Sequence, residues 1–232
     1  MFETILVSPH HDDVAFSIGA MAALGMLDRP LLLVTVFSRS NFAPILPPTR
    51  SVEEITADRS DEDSRFASFI GAATKNLGLA DAPLRFPNQT IDSLISGAKA
   101  DTALIPALAL QIQELVVNHS SNVLLSPMGH GRHVDHLTVR AACDAVTGCE
   151  VRYYLDQPYA GVLPSKCEIG GYSRLLDLNL QERNRHLKLK IAGFYPSQPA
   201  ARRMMQLLTV ASNEAIVESL WKIKIRQNRK RH

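Results

Sequence analysis

The feature that most constrains this 232-residue chain is a set of short apolar runs that do not alternate with polar residues. Residues 4–8 (TILVS), 31–38 (LLLVTVFS) and 122–126 (NVLLS) are the clearest. A strand with one wet face alternates apolar and polar side chains, whereas a strand without that alternation needs cover on both faces. Between and after these runs, residues 13–27, 51–71, 102–118, 135–146, 181–194 and 199–219 carry helical spacing. Short strands are also expected at 83–87 and 150–155, and the proline-rich stretch 41–50 reads as a loop. This order predicts an α/β, Rossmann-like fold, a mostly parallel sheet with helices on both faces. No linker, repeat or composition shift divides residues 1–220, which read as a single domain.

Sheets of this type bind ligands at the carboxyl ends of their strands. Polar clusters should therefore follow the strands, and they do: PHHDD, SRSN and PMGHGRHVDH follow the three runs in turn. Five of the eight histidines, His10, His11, His130, His133 and His136, lie in the first and third clusters. Imidazole and carboxylate together suit a catalytic zinc, which keeps one coordination position open for water. Asp12 and Asp13 are adjacent, so one can bind metal while its neighbour faces the water. His133 and His136 are three apart at a helix start and share a side of that helix. One of them can be a ligand and the other can reach a substrate. Asp135 reads as a helix N-terminal or supporting residue.

The two clusters, Pro9-His10-His11-Asp12-Asp13-Val14 and His133-Val134-Asp135-His136, resemble the motifs (A/P)HPDDE and HPDH of the PIG-L/LmbE-like zinc-dependent N-deacetylases. Further similarity covers Arg59-x-x-Glu62 with Phe69-Ile70-Gly71, Asp156-Gln157-Pro158-Tyr159, and Lys188 followed by Tyr195-Pro196-Ser197-Gln198. The resemblance implies one Zn2+ per chain, or another divalent transition metal, held by His10, Asp13 and His136. It implies that Asp12 is the general base and that His133 faces the reacting carbonyl. The implied substrate is an N-acetyl or N-acyl amino sugar or glycoconjugate, cleaved at its amide. On this reading Asp12 takes a proton from water, and a protonated His133 stabilises the oxyanion. His11 stands where the family has proline and is expected to support the site or turn away from it. Val14 stands where the family has glutamate.

Arg39 follows the second run, Arg59 lies in the next helix and Arg132 precedes His133, which makes the three candidates for a substrate hydroxyl or phosphate. Two other functions fit the same residues: a different metal-dependent hydrolase, such as a phosphoesterase, and a non-catalytic sugar-binding protein. A two-metal phosphoesterase would need more carboxylates than these clusters hold, to bridge ions about 4 Å apart. No dinucleotide, P-loop or nucleophile-elbow motif is present, so the sheet is no evidence for those chemistries.

The net charge of +2 is unevenly placed. Six basic residues and no acidic one follow Trp221, leaving 19 basic against 23 acidic residues before them. Residues 221–232 therefore read as a solvated basic tail, and no aromatic residue interleaves the basic ones after Trp221 to favour nucleic acid. Cys143, Cys149 and Cys167 form no CxxC pair, the start carries no basic n-region, and no apolar run nears the roughly 20 residues of a membrane span. The expectation is a cytoplasmic protein with a small-molecule substrate and no membrane span, free to form a homo-oligomer.

Overall fold

The computed structural model describes residues 1–42, 49–95, 98–161, 163, 168–212 and 215–224. In chain order the elements are β1 (Thr4–Ser8), α1 (Asp13–Ala23), β2 (Leu31–Thr35), α2 (Val52–Ile70), β3 (Ala72–Asn76), α3 (Ala82–Arg85), α4 (Ile91–Ile95) and α5 (Ile105–His119). There follow β4 (Val123–Pro127), α6 (Val134–Asp144), β5 (Glu150–Tyr154), β6 (Tyr172–Asn179), α7 (Glu182–Ala192), α8 (Pro199–Val210) and β7 (Ile216–Ile223). One seven-stranded sheet has the order β3-β2-β1-β4-β5-β7-β6. The strands β3, β2, β1, β4 and β5 are mutually parallel, and β7 and β6 add an antiparallel edge. The chain runs outward from β1 through β2 to β3 and returns to β4 on the other side. That reversal opens a crevice at the carboxyl ends of β1 and β4, where ligands of such sheets sit.

The absence of alternation in the strands has the expected cause. Leu6, Leu33 and Leu125 enter the core shared with α1, α7 and α8. Their neighbours Ile5, Val7, Leu32, Val34 and Leu124 enter the opposite core, beneath α5 and α6. Each such side chain contributes about 1.5–3 kcal/mol when fully buried. The small residues of α1 allow close approach: a Cβ at Gly19 would lie 3.2 Å from both Ile191 and Phe66. Helix α2 matches its predicted span, with a Ser51–Glu54 capping box at one end and Gly71 at φ 64° at the other.

Three expectations are corrected. Residues 83–87 are not a strand; Asp81 accepts from the Leu84 amide, and α3 with a proline in its first turn follows. The edge strands β3 and β6 were not foreseen, because neither is an apolar run. The stretch 199–219 is helix only to Val210, and β7 begins at Ile216. Ile216, Val217, Leu220 and Trp221 fit a helical or an extended spacing equally, and pairing with β5 and β6 decides for the strand. The first residues read as tail, Trp221–Ile223, thus belong to the sheet, and Trp221 is buried. Residues 225–232 of that reading lie outside the described residues.

Candidate active site

Both motifs end on the crevice. After β1, the Ser8 hydroxyl donates to the His10 carbonyl at 2.5 Å and accepts from the Val14 amide at 3.2 Å. This tight turn aims His10, Asp12 and Asp13 across the sheet top. Asp13 opens α1, where a carboxylate is favoured by the helix dipole. Its Oδ2 accepts from the His10 amide at 2.7 Å and lies 3.1 Å from His10 Nδ1 and 3.3 Å from His136 Nε2. After β4, a short turn at His130–Arg132 leads into α6, whose first turn carries His136.

The far nitrogen of each imidazole is held by a second carboxylate. His10 Nε2 lies 2.9 Å from Asp135 Oδ2, and His136 Nδ1 lies 2.6 Å from Asp156 Oδ1. Asp135 is itself bound by Arg85 at 2.8 Å and by the Ala82 amide at 2.9 Å, and Asp156 accepts from the His130 amide at 2.8 Å. Carboxylates behind histidines fix ring orientation and raise basicity in metal sites. His136 Nε2 is buried and has no hydrogen-bond partner among the described residues. An orphaned nitrogen facing a carboxylate oxygen is what a cation between them would satisfy, so the residues fit a metal ion. The charge balance agrees. Burial opposes ionisation of Asp13, but His136 and His10 hold it well below the usual carboxylate range. Burial likewise opposes protonation of His10, yet its bonds to Asp13 and Asp135 raise it to about 9. The triad thus seeks positive charge, from protons or from a metal.

A second donor group, His10, His133 and Asp135, shares His10 with the first. Asp135 in that group is already neutralised by Arg85, so it is the poorer cation site.

Asp12 lies at the N-cap of α1 but caps nothing; its Oδ1 is 3.3 Å from the Arg59 guanidinium. Burial and the adjacent Asp13 raise its pKa, against the pull of Arg59. A carboxylate raised in this way is a better proton acceptor near neutral pH. Arg59 is 3% exposed and also donates to Ser40 Oγ at 2.8 Å, and Asp12 is its ion-pair partner among the described residues. His133 is the N-cap of α6, and its Nδ1 accepts from the Asp135 amide at 3.1 Å. Burial, then His10 and His136, push its pKa down to about 3. The imidazole is therefore neutral, with its proton on Nε2, and the protonated His133 expected from the sequence is corrected to a neutral donor. His11 turns away into the core, to Asp63 Oδ2 and the Ser38 carbonyl, both at 3.1 Å.

The remaining candidates do not converge on the site. Arg39 keeps its side chain 56% exposed, 3.9 Å from Glu53. Arg132 is exposed at φ 56°. Neither lines the cleft, a cavity of about 260 Å³ above His10, Asp12, Asp13 and His133. Arg59, the third candidate, does line it, and its other walls include residues the sequence did not single out as chemical: Phe42, Leu94, Tyr159, Gln198 and Arg203. Tyr159 stands edge-on to His136, 5.7 Å between centroids, and rests on Gly131. Gly131 has φ 81°, and a Cβ there would fall 2.6 Å from the tyrosine ring, so glycine is required for this contact. Asp156 was also missed as a partner of the metal ligands, although its place just past β5 marks it by the same carboxyl-end rule.

The GlcNAc-PI de-N-acetylase (PIG-L) family matches residues 5–147. A 2'-N-acetylparomamine deacetylase from Streptomyces fradiae is 35% identical over 164 residues, 68% of this chain and 58% of that protein. Among solved structures, a deacetylase–bog complex from the teicoplanin biosynthesis pathway superposes with a TM-score of 0.71, at 19% identity over 97% of this chain and 99% of that one. The zinc-inhibited form of the teicoplanin deacetylase Orf2 gives 0.70 at 18% identity, over the same shares of the two chains. At such identities the two structures bear on the fold alone.

Proposed function

Because this chain belongs to the PIG-L family, we propose that it is a metal-dependent N-deacetylase that hydrolyses the amide of an N-acetyl amino sugar or glycoconjugate. The observation that carries this reading is the placing of Asp12 beside the His10–Asp13–His136 triad at one end of a cleft. The similarity to an enzyme acting on an N-acetylated amino sugar supports the same class of substrate.

His10, Asp13 and His136 would hold the ion, with Asp135 and Asp156 orienting the two rings. Two imidazoles and one carboxylate form a donor set suited to zinc. A bound divalent cation supplies Lewis acidity towards the amide carbonyl and towards water. Asp12 takes the proton from the attacking water, its carboxylate steadied by Arg59. The neutral His133 donates its Nε2 proton as a hydrogen bond to the oxygen on which negative charge develops. Asp12, having gained a proton, passes it to the leaving amine. The products are acetate and a free amino sugar. Free, buried Cys143, with its thiol pushed up to about 12 by burial, suits the cytoplasm, and no helix among the described residues is long and apolar enough to cross a membrane.

Protein stripped of metal and reloaded with zinc, cobalt or manganese is incubated with N-acetylglucosamine, its methyl glycoside and N-acetylated aminoglycosides. Release of acetate and primary amine in equal amounts is expected. Absence of both for every metal and substrate class would defeat the reading.

A further inference from the structure

Gln198 occupies the N-cap position of α8 on the cleft wall and is 3% exposed. Its Nε2 donates to Ser197 Oγ at 2.9 Å and to the Phe42 carbonyl at 3.4 Å. The carbonyl can only accept. The single hydroxyl proton of Ser197 is committed to Glu62 Oε2 at 2.6 Å, so that oxygen can also only accept from Gln198. A flipped amide would set oxygen against two acceptors, which fixes the nitrogen on that side. Gln198 Oε1 is left on the other side. It accepts no bond from the described residues and is not among the buried polar atoms that lack a partner, so it keeps some exposure, on a residue that lines the cleft. Glu62 also accepts from the Ser197 amide at 2.9 Å, which locks the relay at both ends. Arg59 and Glu62 are one turn apart on α2 (Val52–Ile70). One reaches Asp12 and the other reaches Gln198 through Ser197, so a single helix sets the position of the base and of this acceptor.

A neutral acceptor with fixed orientation, in a cleft also lined by Phe42 and Tyr159, suits a molecule with hydroxyl groups on an otherwise apolar ring face. We propose that Gln198 is a specificity-determining residue that accepts a hydrogen bond from a ring hydroxyl of the substrate. This rests on the deacetylase reading. A site built to bond a substrate hydroxyl discriminates against an analogue that lacks it.

The test measures binding, in a zinc-loaded Asp12→Asn protein that holds substrate without turning it over. The probes are methyl 2-acetamido-2-deoxyglucopyranoside and its 3-deoxy, 4-deoxy and 6-deoxy analogues, titrated by calorimetry with and without Gln198→Leu. The parent glycoside should bind about 10-fold more weakly to the leucine variant, while one deoxy analogue binds both proteins alike. Equal losses for all four probes, no loss for any, or no binding by any of them would each overturn the assignment. Should Gln198→Leu fail to fold, Ser197→Ala leaves Gln198 in place with its amide unlocked, and it should weaken the parent while sparing the same analogue. The expected binding pattern together with no acetate release by the unaltered enzyme would uphold Gln198 and defeat the hydrolytic reading.

Discussion

On the floor of the cleft, His10, Asp13 and His136 are each gripped by a further group, whereas on its walls Gln198 is held at its amide nitrogen alone and leaves its oxygen without a bond from the described residues. Asp135 and Asp156 hold the two imidazoles, Arg85 holds Asp135, and a backbone amide holds Asp156. The floor comes from the parallel half of the sheet and the first turn of two helices. The walls come from loops and from α2, α4 and α8. Rigid elements with a filled outer layer keep an ion site in shape, while loops on that scaffold are free to set what fits above it. If this division is right, substitutions should separate into those that remove the metal, those that stop the chemistry and those that change only the substrate.

The largest effect should follow loss of a floor donor. His136→Ala removes the orphaned Nε2 and should take metal content from near one ion per chain to near none, with activity lost. Full metal retention, read by elemental analysis after dialysis, would show that the ion sits elsewhere. Next, Asp12→Asn should keep metal and cost at least ~100-fold in rate, the usual scale for a general base. Loss of metal in that variant would move Asp12 into the ligand set and reverse its roles with Asp13.

Asp156→Asn tests the outer layer itself. The His136 ring would lose its charged partner at 2.6 Å, and metal affinity should fall about 10–100-fold while the folded protein persists. An unchanged affinity would mean that the floor is no better supported than the walls.

A pH effect follows in the metal-free protein. His10 titrates near 9 when folded against 6.5 for the free side chain. Its raised pKa contributes stability that is fully present below pH 6.5 and is lost as pH rises through 9. Thermal melts of stripped protein should therefore fall over that window, and metal loading should flatten the slope, because a ligating histidine is already unprotonated. A slope that persists in the loaded protein would assign the titration to another group.

The floor was legible in the sequence because it rests on two contiguous segments, each placed by a strand whose lack of alternation is visible. The walls were not. Gln198 on the wall, and Asp156 behind the floor, entered the sequence reading only within stretches of family similarity and with no role; they are separated along the chain from Glu62 and His136, and only the packing of α8 and β5 brings them near. His133 shows a finer limit. Its position was readable, but its charge was not, because that depends on a backbone amide at Nδ1 and two neighbouring imidazoles. The edge strands escaped notice for a related reason: β3 has four exposed residues out of five, so its pattern carries no apolar signal.

The smallest effect concerns Arg39, which the sequence placed beside Arg59 as a candidate for substrate contact. The two lie on opposite sides of the division between site and surface. Arg59 is 3% exposed and bonded to Asp12, while the Arg39 side chain is 56% exposed and, among the described residues, pairs only with Glu53, at 3.9 Å. Surface pairs of that kind are worth about 0–1 kcal/mol, so Arg39→Ala should leave melting temperature, metal content and kcat/KM almost unchanged. Arg59→Ala should instead lower kcat, because Asp12 would lose the cation that fixes its carboxylate. A fall in kcat/KM for Arg39→Ala that comes entirely from KM would carry the substrate beyond the cleft, along the carboxyl end of β2, and would extend the walls to the loop after that strand.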